Sequence, residues 1–147
     1  MTGTPSILFA CRANAGRSVT AKVLTEHYAR GAVDVFSAGS EPGDHVHPEV
    51  ARVLADLGLS TTNEVPKGFD PDGRYEVVVT MGCGETCPVY LGARYEDWPL
   101  DDPKGRDDAT VRRIVADIDR RVRELLTEVA PDLMLPPSVL ETGDQRF

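Results

Sequence analysis

The chain has 147 residues, 41% apolar and 27% charged, which suits one soluble globular domain that folds without disulfides or a structural metal. Sixteen Lys and Arg stand against 24 Asp and Glu, and the resulting charge of −8 argues against non-specific binding to nucleic acid. The opening MTGTPSILFACRANAGRS has neither the basic start nor the apolar run of a signal peptide, no stretch approaches the ~20 apolar residues of a membrane span, and three cysteines are too few and odd in number for a disulfide framework, so a cytoplasmic protein with free thiols and no membrane partner is expected.

Residues 6–10 (SILFA) form a short apolar run, read as a buried strand. A loop over 11–18 follows, then helical spacing with Ala21, Leu24 and Tyr28 on one face and Gly31 as its end. Residues 33–38 (VDVFSA) read as a second strand stopped by Gly39. His47-Pro48 opens a helix with Val50, Val53, Leu54 and Leu57 on its apolar face and Gly58 as its cap. Residues 75–80 (YEVVVT) are a third buried strand, 81–93 an irregular segment, and 94–100 a fourth strand before the turn Asp101-Asp102-Pro103. The strongest helix spans 110–129, where Val111, Ile114, Val115, Ile118, Val122, Leu125, Leu126 and Val129 make one apolar stripe. Pro131 ends it. Residues 131–147 carry two more prolines and no period, and read as an appendage and a candidate for disorder. Strands alternating with helices imply right-handed crossovers and a parallel sheet, whose ligands bind beyond the carboxyl ends of the strands. Residues 11 and 81 then lie at the same end. The expected organisation is one catalytic domain over 1–130 and a tail over 131–147.

The string Cys11-Arg12-Ala13-Asn14-Ala15-Gly16-Arg17-Ser18 sits between a strand and a helix. A loop there curls its N–H groups inward beside the positive end of the helix, a concavity suited to phosphate, sulfate or arsenate. Arg17 adds a planar fork that holds two oxygens, where Lys would offer a point charge. Cys11 at the base is the candidate nucleophile, since the amides, the helix end and Arg17 all favour a thiolate. Ser18 is placed to donate to its sulfur, and Asn14 suits a position with φ > 0.

Cys83 and Cys87 lie four residues apart in Met81-Gly82-Cys83-Gly84-Glu85-Thr86-Cys87-Pro88, close enough to meet if the loop takes one helical turn. Zinc would need partners from His27, His45 and His47, which lack paired ligand spacing, so no metal is expected and the histidines read as surface or capping residues. Asp102, after the fourth strand, also faces the ligand end and is the candidate acid for a leaving oxygen. Trp98 reads as core packing. Nucleotide-binding glycine motifs are absent from the sequence, and no bound cofactor is expected.

With these residues in view, Cys11 to Ser18, Ser37-Ala38-Gly39 and Asp102-Pro103 resemble the low-molecular-weight tyrosine phosphatase fold, over about residues 5 to 130. Cys83, Cys87-Pro88, Trp98 and Asp101-Asp102-Pro103-Lys104-Gly105 resemble, within it, the three-cysteine arsenate reductases coupled to thioredoxin. The resemblance implies an α/β fold with a four-stranded parallel sheet flanked by helices. It implies attack of Cys11 on arsenate, an oxyanion held by Arg17 and the amides of 12–17, Ser18 on the thiolate, and Asp102 assisting loss of hydroxide. Cys83 would then attack Cys11, and Cys87 would attack Cys83, leaving a disulfide for thioredoxin. Phosphate and sulfate would compete with arsenate. The chain departs from the family in two places. The cysteine pair is closer than the seven-residue step of the best-known branch. Lys22 stands where some relatives place a Glu that binds potassium with Asn and Ser, so no potassium site is expected although Asn14 and Ser37 match. The alternatives are a phosphotyrosine phosphatase, which has no use for Cys83 and Cys87, a mycothiol-coupled reductase, and a non-catalytic oxyanion-binding or redox-sensing module.

Overall fold

The computed structural model describes residues 4–82 and 87–144. In chain order its elements are β1 (Ser6–Cys11), α1 (Arg17–Ala29), β2 (Asp34–Gly39), α2 (Pro48–Asp56), β3 (Val77–Met81), β4 (Arg94–Asp97), α3 (Asp108–Val129) and α4 (Val139–Asp144). The four strands make one parallel sheet in the order β2-β1-β3-β4. β1 and β3 are apolar on both faces because both faces are covered. Ile7, Phe9, Val77 and Val79 join one core cluster with the apolar residues of α1, α2 and α3. Leu8, Ala38 and Val78 face the other way, under Tyr90, Tyr75 and Phe69. Tyr75 is the hub there, edge-on to Phe36 and Tyr90 with ring centroids 5.4 and 5.0 Å away. Trp98 packs in the main core against Phe9, centroids 5.7 Å apart.

β4 is shorter than the 94–100 run suggests. The Trp98 N–H still donates to the Thr80 carbonyl at 2.9 Å, but Pro99 has no N–H to extend the ladder. α3 begins at Asp108, two residues before the expected start at 110, because the Asp107 carboxylate accepts from the Thr110 N–H and caps it. α2 starts on Pro48 at its first turn, and Gly58 follows it with φ of 84°.

Within the segment expected as an appendage, residues 133–140 pack onto the domain. Leu133, Leu135, Val139 and Leu140 join or abut the main core. Its hold is polar as well. Tyr28 of α1 donates to one oxygen of the buried Asp119 in α3, and Ser138 donates to the other at 2.8 Å. The Val139 N–H returns to the Tyr28 hydroxyl at 3.0 Å. A proline-rich strap without helical period can thus be fixed by hydrogen bonds to a buried carboxylate, which leaves no trace in its own periodicity.

In chain order, β1 leads through α1 to β2 on one side, and β3 then lies on the other side of β1. Next to β1, the sheet therefore has a switch point at its carboxyl end, where α/β folds form their ligand crevice. Cys11, Gly39 and Met81 are in register there.

Candidate active site

The loop from Cys11 to Arg17 is shaped by what its carbonyls touch. The carbonyls of Cys11, Arg12, Ala13 and Ala15 accept from the N–H groups of Ser40, Glu41, Gly43 and His47, at 2.7 to 3.2 Å, and the Gly16 carbonyl accepts from Thr20. In a trans peptide the carbonyl and the next N–H point in opposite directions. With the carbonyls drawn outward, the N–H groups of residues 12, 13, 14, 16 and 17 turn toward the concave side. The Asn14 amide shows this directly, donating to the Cys11 sulfur at 3.2 Å.

Asn14 has φ of 49°, the left-handed position expected for it, and is fully buried. Its side chain holds the loop from within. Its Oδ1 accepts from the Lys67 N–H at 3.0 Å and its Nδ2 donates to the Ser18 hydroxyl at 2.8 Å. Ser18 lies 2.9 Å from the Cys11 sulfur. When that sulfur is a thiolate it has no proton to give, so Ser18 is the donor. Cys11 is a buried free thiol carrying two hydrogen-bonding neighbours.

Two glycines let the sheet approach this loop. A Cβ on Gly39, at the end of β2, would stand 2.5 Å from the Arg12 carbonyl and 2.8 Å from the Asn14 nitrogen. A Cβ on Gly82, just after β3, would stand 2.4 Å from the Arg17 Nη1. Arg17 therefore lies across bare backbone. Its side chain is only 11% exposed, its Nη1 donates to the Leu100 carbonyl at 3.2 Å, and its Nη2 is 3.8 Å from Asp102 Oδ2.

The concavity has a volume of about 120 Å³. Loop residues form its floor, and His47, Asp102 and Lys104 complete its wall. Asp102, with its side chain 54% exposed, accepts from the Lys104 N–H at 3.0 Å in a tight turn. Asp101 faces a different depression, with Thr110 and Arg113. Glu49 of α2 accepts from the Gly105 N–H at 2.7 Å and so ties the turn to the helix; hydrogen bonds from its own backbone and from Gly105 lower its pKa. Burial lowers the pKa of His47, with Lys104 and His45 acting the same way and Glu49 and Asp102 opposing.

The structure thus gathers Cys11 to Ser18 and Asp102 at one place. Cys83 lies outside the described residues. Cys87 is half-buried and disulfide-bonded. Lys22, considered for its place near a cation site, bonds Glu26 at 2.9 Å and Glu64 at 3.0 Å. Burial alone would lower its pKa, but those two carboxylates outweigh it and raise it. The sequence reads His47 as a surface or capping residue and carries Lys104 and Gly82 only within longer strings, so none of the three is expected at the pocket. His47 reaches the pocket because its own N–H is bound to the Ala15 carbonyl, a contact across 32 residues that no local pattern announces.

The comparisons with known proteins agree with this geometry. Residues 6–134 match the family described as low molecular weight phosphotyrosine protein phosphatase. A putative arsenate reductase of Halobacterium salinarum is 34% identical over 131 residues, covering 84% of this chain and 92% of that one. A solved thioredoxin-dependent arsenate reductase of Corynebacterium glutamicum superposes with a TM-score of 0.78 at 39% identity, covering 89% of this chain; the chain spans 64% of that protein's length. An arsenate reductase structure from Archaeoglobus fulgidus superposes with a TM-score of 0.71 at 31% identity, over 82% of this chain and 98% of that one. The chain belongs to the low molecular weight phosphotyrosine protein phosphatase family, where its relatives include arsenate reductases.

Proposed function

We propose that the protein is a cytoplasmic arsenate reductase that works through a Cys11–Cys83–Cys87 relay and is recharged by thioredoxin. The observation that carries the reading is the free Cys11 at the floor of an amide-lined pocket, beside Arg17 and Asp102, in a chain whose Cys87 is disulfide-bonded. In the first step the Cys11 thiolate bonds to arsenic(V), and an As–O bond breaks. The oxygen leaves as water with the proton carried at Asp102, while Arg17 and the loop amides hold the remaining oxygens. Next, the Cys83 thiolate bonds to the Cys11 sulfur. The S–As bond breaks and its electron pair stays on arsenic, which departs as arsenite. Cys87 then attacks Cys83, freeing the Cys11 thiolate and leaving the disulfide that a dithiol reduces. Val89 and Leu91, 78% and 96% exposed just beyond Cys87, offer apolar surface to a protein reductant, which a small thiol would not need.

One pulse of arsenate on the reduced protein, followed by non-reducing peptide mapping, tests the reading. Wild type should release arsenite and end as a Cys83–Cys87 disulfide that thioredoxin reverses. Cys87→Ser should complete one turnover and stall as Cys11–Cys83. Cys83→Ser should release none without an added small thiol, and Cys11→Ser none at all. Free Cys83 and Cys87 throughout, with arsenate reduced only when mycothiol is present, would replace the relay with a small-thiol mechanism. Rapid hydrolysis of aryl phosphate without arsenite would make the protein a phosphatase.

A further inference from the structure

Attack from the pocket floor fixes where the leaving oxygen must be. Cys11 is buried at the base, so in-line displacement puts that oxygen opposite, at the mouth. His47, Asp102 and Lys104, all of them polar, form the wall that rises from the loop. Gly16 has no side chain, and the space a Cβ would take is met by the His47 ring at 3.1 Å and the Pro103 ring at 2.9 Å. Both rings therefore sit against the loop backbone at Gly16. An inorganic oxyanion presents a hydroxyl or an oxygen at this point. An ester caps that oxygen with carbon, which leaves it no proton to donate and sets carbon against the polar His47, Asp102 and Lys104 side chains.

We propose that His47 determines substrate class in this pocket, hydrogen-bonding the outward oxygen of a free inorganic oxyanion and disfavouring an aryl ester in the same position. The proposal deepens the arsenate reading, on which it rests for its substrate. A neutral imidazole carries one donor and one acceptor, the pair a hydroxyl needs. Burial keeps the ring on the neutral side, against the opposing pull of Glu49 and Asp102. Lys104 adds positive charge on the same wall, and the Glu49 to Gly105 hydrogen bond holds the Lys104 turn in place.

Calorimetric titration of the reduced protein with inorganic phosphate and with phenylphosphonate separates the two classes without needing turnover. Wild type should prefer phosphate. His47→Ala should weaken phosphate binding about tenfold, the size of one hydrogen bond to a charged ligand, and leave phenylphosphonate unchanged or tighter. His47→Asn, which still donates and accepts, should keep most of the preference. Unchanged phosphate affinity in His47→Ala overturns the proposal, and so does an equal loss for both ligands, which marks a structural role. An Asn variant as impaired as the Ala variant removes hydrogen bonding as the cause. Arsenite release by wild type is measured separately, so a lost preference in a protein that releases none would defeat the reductase reading and leave the role of His47 standing.

Discussion

Gly82 has φ of 86°, a conformation that side chains rarely take, and the space beside it belongs to the Arg17 guanidinium. An alanine there is strained in itself, and its methyl would lie 2.4 Å from Nη1 and 3.1 Å from Cζ of Arg17. The guanidinium has little freedom to yield, since the Leu100 carbonyl already fixes one nitrogen and Asp102 attracts the other. Gly82→Ala should therefore mimic an arginine defect from a residue that touches no substrate. Phosphate binding should weaken by about 1.5–3 kcal/mol, the range for hydrogen bonds to charged groups, and Arg17→Lys should lose a similar amount because the fork is gone. Calorimetry on both variants checks this. A Gly82→Ala protein that binds phosphate like wild type would show that Arg17 does not need the bare backbone.

At the scale of the elements, α1 and α3 are joined to the C-terminal strap through one buried carboxylate. Asp119 is 2% exposed and lies on the buried face of α3, where the apolar stripe gives no reason for an acid. Its two oxygens are taken by Tyr28 and Ser138, and the Tyr28 hydroxyl also accepts from Val139. Arg123 adds its guanidinium, 5.0 Å from the Tyr28 ring centroid, and donates to the Pro136 carbonyl at 2.8 Å. The strap is thus held at three points by residues of two helices. Tyr28→Phe keeps the ring and removes only the hydroxyl, so it leaves Asp119 short of a donor and the Val139 N–H short of an acceptor. The cost should be about 1–3 kcal/mol, the penalty for stranding buried polar groups, measured as a lower midpoint in urea. Protease cleavage near residues 131–138 should accelerate in the same variant. If stability falls while strap cleavage does not change, the hydroxyl serves α3 alone.

Across the whole molecule, what was legible in the sequence is what is local. The run 6–10, the string Cys11 to Ser18 and the stripe of α3 lie within single elements, and each carries its own period or turn chemistry. The contacts that close the pocket and fix the strap join residues far apart, such as Lys67 with Asn14 or Val139 with Tyr28, and such pairings have no signature in either partner's neighbourhood. The same long-range burial sets the response of the fold to pH. His27 and His47 both have lowered pKa values, first through burial, then for His27 through Arg30 and for His47 through Lys104 and His45. A histidine that prefers to be neutral when folded supports the native state above its ordinary value of 6.5, and that support is lost as pH falls through the lowered folded value. Glu49, lowered by its backbone hydrogen bonds, adds a second loss below its ordinary 4.5. On the alkaline side the sign reverses. Burial and the bond to Asp119 raise Tyr28, so its contribution is complete below 10.0 and fades as pH climbs toward the raised value. Lys22, raised by Glu26 and Glu64 against its burial, follows the same course from 10.5 upward. Urea midpoints measured from pH 4 to 11 should therefore form a plateau between about 6.5 and 10, falling on both sides. Replacing His27 and His47 together by Asn should flatten the step just below 6.5 and leave the alkaline fall intact. A wild-type midpoint that rises as pH drops from 7 to 5 would mean that these imidazoles are better held as cations, contrary to their burial.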